Sequence, residues 1–370
     1  MSPVPDPALR APESFHPGAQ FDPPGDTRRT PPSTAVITPP AARTDRSVRQ
    51  LVGWVCLATA GLSLGLALLL PTQVYPRLAV LPADPQVEQV QLGRGGTALV
   101  IDPSSATGVR TVRNVDVKLT TNVVAAPGGS SDPDSVHWQL ATQIKVANRW
   151  LLTARVETVS LDRRTARPNN CCGDRLVTDP QVPQGIPMPH SGFVSFPFNL
   201  GKHSYPIWDV QLQRARPAAF IGEQRLDGFD TYILRADTPF TKVGTQSLPG
   251  RLFGTTAASV EADSEYADQR TYWVEPATGS VIGLREVINQ QFRFNGHTVT
   301  ALSVTLDSPP LSPDLADKTR RGAATLPWLR GRASYLLVPL GLLLLAGWAW
   351  TLRPPSSLIS DRGAGRATER

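Results

Sequence analysis

The run LVGWVCLATAGLSLGLALLL, from Leu51 to Leu70, contains no charged residue. At 1.5 Å per residue, about 20 residues cross the ~30 Å hydrocarbon layer of a bilayer, so the run predicts a transmembrane helix. A second run, ASYLLVPLGLLLLAGWAWTL, from Ala333 to Leu352, predicts another. Trp348 and Trp350 stand near its end as interfacial anchors, and Pro339 is tolerated where neighbouring groups satisfy the freed carbonyl. A signal peptide is the competing reading of the first run. The long lead-in and the lack of a small-x-small cleavage site disfavour it. The small-xxx-small pair Gly61 and Gly65 offers a seat for the second helix, although a chance glycine pair in leucine-rich filler fits equally well.

Between the helices the period changes to two. VRNVDVKLTTNVVAA, VHWQLATQIKV and WLLTARVETVSL alternate apolar and polar residues, as half-buried strands do. Asp227-Gly228 divides two further runs and is a strong hairpin signal. A meander follows, with turns at Pro276 to Gly279 and at Asn295-Gly296. Stretches 126 to 135 and 179 to 189 read as surface loops, and no amphipathic helix stands out. The fold class is therefore mainly β, an antiparallel β-sandwich or open-barrel outer domain flanked by two transmembrane helices. SLDRRTARP and WVEPATGSV look like one strand-turn-strand device used twice, which hints at two similar halves. A bilayer-spanning barrel is excluded as a reading of this domain, because the strands lack an uninterrupted lipid-facing apolar band.

Composition sets the boundaries. Eleven of the 36 prolines fall in residues 1 to 49, a segment with few large apolar residues and no period. It reads as a disordered tail. The domains expected are residues 1–49 as this tail, 51–70 as a transmembrane helix, 71–332 as the β domain, 333–352 as a second transmembrane helix and 353–370 as a C-terminal tail. The formal charge of +6 arises from basic residues beside the apolar runs, not from one patch interleaved with aromatics, so no nucleic-acid partner is expected. Arg43, Arg46 and Arg49 precede the first helix and Arg77 alone closely follows it. The positive-inside rule then places the N-terminal tail in the cytoplasm and the β domain outside. Charges around the second helix do not decide its direction. Lys318, Arg320, Arg321, Arg330 and Arg332 precede it, while Arg353, Arg362, Arg366 and Arg370 follow. The first helix and the parity of two spans put both termini in the cytoplasm and the chain in the plasma (inner) membrane.

Several stretches carry a resemblance. VYPRLAVLP after the first helix, NCCG, HSGFVSFPFNLGKHSYPIWD and TYWVEPATGSVIGLRE resemble the actinobacterial DUF3068 family, also labelled PorA-family proteins. The likeness covers roughly residues 51 to 350 and leaves out the proline-rich tail. It implies association with the cell envelope, where related proteins look like accessories to glycolipid or lipoglycan traffic. The porin label conflicts with the reading of the strands and is not adopted as an activity.

No enzyme constellation is visible. The chain has no G-x-S-x-G elbow, no H-E-x-x-H and no C-x-x-C, so neither catalysis, nor a cofactor, nor a metal is expected. GRGG at 93 to 96 lacks the lysine and helix of a phosphate loop and reads as a turn. Of the five histidines, His16 is in the tail, and His137, His190, His203 and His297 are scattered through strands and loops. His190-Ser191 resembles part of a nucleophile pair, but the sequence places no carboxylate near it, so a packing role is expected. Asp162, Asp227 and Asp230 read as turn formers. The richest stretch is FVSFPFNLGKHSYPIWD, with Phe193, Phe196, Phe198, Tyr205 and Trp208, where Pro197 and Pro206 break any regular strand. These aromatics either complete the core or form an apolar groove for an acyl chain, and they are the candidate ligand-binding residues. Cys56 lies in the first helix. Cys171 and Cys172 have only each other within reach, and a vicinal disulfide is expected, with free thiols or a bond to another chain as alternatives. The function expected is a non-enzymatic, membrane-anchored envelope protein whose outer domain binds a lipid or glycolipid for membrane transport machinery. The alternative is a structural or regulatory scaffold with protein partners.

Overall fold

The computed structural model describes residues 43–353, apart from 106, 130 and 131. The proline-rich tail and the C-terminal tail therefore lie outside the described residues, except that residues 43–49 are helical. The first helix, α1 (Arg43–Leu69), starts well before Leu51. Wider π turns at Leu70–Val74 carry it into α2 (Tyr75–Leu78). Next come strands β1 (Val87–Ile101), β2 (Val109–Ala125), β3 (Ser135–Val146), β4 (Trp150–Asp162), β5 (Arg175–Val177) and β6 (Ile186–Pro187). The second series is β7 (Tyr205–Asp209), β8 (Arg214–Leu226), β9 (Phe229–Leu248), β10 (Val260–Val274), β11 (Val281–Phe294) and β12 (His297–Asp307). The chain then enters α3 (Pro313–Pro327), π turns at Trp328–Arg332 and α4 (Ala333–Thr351).

The described strands form one antiparallel sheet in the order β6-β5-β4-β3-β2-β1-β12-β11-β10-β9-β8-β7. Two meanders thus lie side by side, joined where β1 pairs β12, and the sheet is not closed. It curls so that inward residues of both meanders meet: Val136, Val159 and Leu161 share a core with Leu234, Tyr272 and Val274. Farther along the strands Ala98, Val117 and Ile144 pack with Tyr266, Ile288 and Leu302. The alternation read from the sequence thus becomes an inner apolar face.

The fourth strand of each meander ends in the same turn. Asp162 accepts hydrogen bonds from the N–H groups of Arg164 at 3.0 Å and Thr165 at 2.7 Å. Glu275 accepts from those of Ala277 at 3.0 Å and Thr278 at 2.8 Å. In both, the next residue takes a positive φ, 59° at Ala166 and 74° at Gly279. Asp227 and Gly228 form the expected hairpin turn, whereas Asp230 is a strand residue paired with Arg225. GRGG is not a turn either. It is a bulge inside β1, where an added Cβ at Gly93 would meet the Thr305 carbonyl oxygen at 2.5 Å.

α1 and α4 are long and apolar enough to cross a membrane. Their contact uses Ala60, Leu64 and Ala67, not Gly61 and Gly65, around which nothing lies within 4 Å of an added Cβ. Gly341 is the small residue at the crossing: its added Cβ would lie 2.7 Å from Leu64 Cγ. Pro71 has no N–H to give the Ala67 carbonyl one turn earlier, and the Ser334 hydroxyl donates to that oxygen at 2.7 Å. α3 is a helix within the stretch 71–332 whose sequence predicts only the β domain. Pro313 at its first turn and Asp314 beside it are the local start signals. It lies against the strand-turn end of the sheet, with Gly322 close to Thr278 and Arg320 over the Phe229 ring.

Candidate functional site: a cavity inside the curled sheet

The two core clusters do not merge. Between them lies a cavity of about 610 Å³, within the range of small-molecule sites. Its walls are mostly apolar and come from both meanders, including Val123, Trp138 and Leu140 on one side and Tyr272, Leu284 and Ile288 on the other. At the end from which the helices leave, the two linkers bound it through Pro82, Pro85, Pro309 and Leu311, together with Leu315 of α3. Proline has no N–H to pair, so these short linkers can border a cavity without leaving donors orphaned.

The five candidate aromatics separate here. Phe196 and Trp208 line the cavity. Phe193 and Tyr205 are core residues, 7% and 5% exposed, edge-to-face with each other at 5.9 Å. Phe198 packs on the same core from a half-buried position. The prolines of this segment prevent alternation, so its sequence held no period from which to sort inward from lateral rings.

Charged groups also reach the wall. On β4, Arg155 and Glu157 occupy the inward positions that Val159 and Leu161 continue. The Trp208 indole N–H donates to Glu157 Oε1 at 2.5 Å, and His190 Nε2 lies 2.7 Å from the same oxygen. The other imidazole nitrogen, Nδ1, is 3.1 Å from Asp174 Oδ2. Burial opposes protonation of His190, but the two carboxylates outweigh it and raise its pKa to about 9. The sequence reading placed no carboxylate near His190; the structure places two. Both ring nitrogens are occupied by carboxylates, and the fully buried Ser160 hydroxyl bonds Asp174 instead of the imidazole. No base–nucleophile hydrogen bond is formed by this group, which acts as a charged clamp behind the cavity wall.

The cysteines belong to that clamp. The loop after β4 folds back over the strand, where the Asn169 N–H donates to the Ser160 carbonyl at 3.1 Å. Asn170 holds the His190 backbone through its side chain, at 2.8 Å and 3.1 Å, and Asp174 holds the ring. Cys171 and Cys172, joined by a disulfide, lie in the arc between these two residues. The pair therefore stiffens the segment that orients His190, and through it Glu157.

A second buried group faces the cavity from β10 and β11. Arg270 pairs with Glu286 at 2.7 Å and with Asp268 at 3.0 Å, and Arg216 pairs with Asp209 at 3.1 Å and also with Asp268. Arg270 and Glu286 line the cavity. Charges at inward positions of otherwise alternating strands were the legible signal for Arg155, Glu157, Arg270 and Glu286.

A family model described as Porin PorA matches residues 52–350. Porin PorA of Corynebacterium amycolatum is similar at 23% identity over 311 residues, covering 64% of this chain and 76% of that protein. Porin PorA of Corynebacterium resistens is similar at 24% identity over 273 residues, covering 53% of this chain and 65% of that protein, slightly under two thirds of its length.

Proposed function

The chain belongs to the PorA family, and on that premise we propose that it is an envelope protein whose β domain takes up the acyl part of a lipid or glycolipid, as an accessory to envelope lipid or lipoglycan transport. The supporting observation is the apolar cavity of about 610 Å³ bounded by the linkers to the two helices. With both helices in the plasma membrane and both termini in the cytoplasm, those linkers bring the cavity to the outer leaflet. Tethering supplies a high effective concentration of lipid, so a modest affinity suffices. Each acyl CH₂ moved from water to the cavity contributes about 0.8 kcal/mol. A chain already in a bilayer gains little by that transfer, and selectivity rests on the polar groups of the wall.

The porin name of the relatives has a weaker footing here. A single-chain β pore needs a closed sheet, since unpaired edge groups are costly in hydrocarbon. This sheet is open, with β6 and β7 as its ends, and its interior is occupied by two side-chain clusters. Native mass spectrometry of the full chain, purified in a mild detergent from membranes, tests the proposal. A stoichiometric lipid adduct is expected, and filling the cavity with Leu140→Trp should remove it. A lipid-free wild-type chain under conditions that preserve adducts on other membrane proteins would contradict it.

A further inference from the structure

Among the described residues, the cations at or behind the cavity wall are held by carboxylates, with one departure. Arg216 and Arg270 each touch two or more acidic groups, and His190 sits between Glu157 and Asp174. Arg155 lines the cavity and makes neither an ion pair nor a hydrogen bond, and its Nε is buried without an acceptor. Its nearest countercharges are engaged elsewhere: Glu157 Oε1 by His190 and Trp208, Glu286 Oε1 by Arg270. These carboxylates, Arg270 and Tyr266 act on it only through space, and burial holds its guanidinium below the usual arginine range. A guanidinium stays charged in proteins, so an unpaired one inside a cavity carries a desolvation cost that a bound anion would offset. Gln91 on β1 is a second unmatched group. It is 3% exposed, lines the same cavity, and both its amide nitrogen and its amide oxygen lack partners.

We propose that the ligand of this cavity is an anionic amphiphile, whose carboxylate or phosphate pairs with Arg155 while its acyl part lies along the apolar wall and Gln91 meets a neutral polar group of the same molecule. The inference rests on the lipid-binding reading and narrows it from lipids in general to acidic ones. A planar, fork-shaped donor set suits both carboxylate and phosphate oxygens.

The test uses the full chain, delipidated in a non-ionic detergent, with binding measured for palmitic acid, phosphatidic acid, and the neutral counterparts hexadecanol and diacylglycerol. An acid is expected to bind at least 10-fold tighter than its neutral counterpart. Preference for palmitic acid identifies a fatty-acid site, and preference for phosphatidic acid identifies a phospholipid site. Arg155→Gln should lose at least 10-fold on the acid and leave the neutral amphiphile unchanged. Its melting temperature should equal or exceed that of the wild type, because a charge without a partner has been removed. Gln91→Leu, which keeps the arginine, should weaken both kinds of ligand several-fold and serves as a second probe of the site. Equal affinity for acid and alcohol, or equal losses on both in Arg155→Gln, would overturn the proposal while leaving lipid binding in place. Inorganic phosphate binding as tightly as phosphatidic acid would also overturn it. Failure of every amphiphile to bind would remove both readings together.

Discussion

His190 Nε2 and Glu157 Oε1 are 2.7 Å apart, and the histidine is wholly buried while the glutamate faces the cavity. Asp174 holds the other ring nitrogen, and the two carboxylates together favour the protonated ring. Its pKa is raised from 6.5 in the unfolded chain to about 9 in the folded one. The stabilisation from this shift is complete below about pH 6.5 and is lost as pH rises through about 9. At ~1.4 kcal/mol per unit, its full size is on the order of 3 kcal/mol. Thermal unfolding of the full chain in detergent should therefore show stability falling between pH 6.5 and 9. His190→Gln should be less stable at pH 6 and nearly flat across that window. An unchanged slope in the variant would mean that another group titrates.

The vicinal cysteines give a second expectation. Unreduced protein should be about two hydrogens lighter than the reduced form, with Cys171 and Cys172 resisting alkylation until reductant is added. The bond closes a minimal loop, so it restricts the unfolded chain little. Cys171→Ser/Cys172→Ser should cost less than about 1 kcal/mol of global stability. Because the bond stiffens the arc that delivers Asn170 and Asp174, the same variant should show a shallower pH slope than the wild type. Ready alkylation without reductant would show that the bond does not form.

The helix pair can be tested where Ser334 meets the Ala67 carbonyl. In a Cys56→Ser background, Ala67→Cys/Ser334→Cys should cross-link efficiently in membranes under mild oxidation. Adding Gly341→Leu should reduce the yield strongly, since a Cβ there falls 2.7 Å from Leu64 Cγ. Efficient cross-linking in that variant would mean that the helices meet on another face.

Much of the fold was legible because it is local. Period-two runs gave β2, β3 and β4, and Asn295-Gly296 gave the last hairpin, with φ of 44° and 81°. β1 was hidden because GRGG reads as a turn signal, although there it bends a strand. α3 was hidden because its buried contacts are few: Thr319 and Leu326 are its buried residues. The repeated turn at Asp162 and Glu275 was visible as a resemblance between two short stretches, and the two turns share the same pattern of hydrogen bonds. The site was less legible for a physical reason. His190 lies 16 residues from Asp174 and 33 from Glu157, so their meeting depends on how the loop after β4 folds back. The two rings on the cavity, Phe196 and Trp208, were not separable from Phe193, Phe198 and Tyr205 in a segment broken by prolines.

That separation supplies the most direct test of lipid uptake by the cavity. A photoactivatable benzophenone amino acid at position 196 faces the cavity, and one at position 198 packs on the adjoining core. On irradiation in intact membranes, the chain labelled at 196 should gain the mass of a lipid, and the chain labelled at 198 should not. Arg155→Gln should reduce the adduct at 196 if the captured lipid is acidic. Capture at neither position, or equal capture at both and at the exposed Phe240, would contradict a lipid held inside the curled sheet.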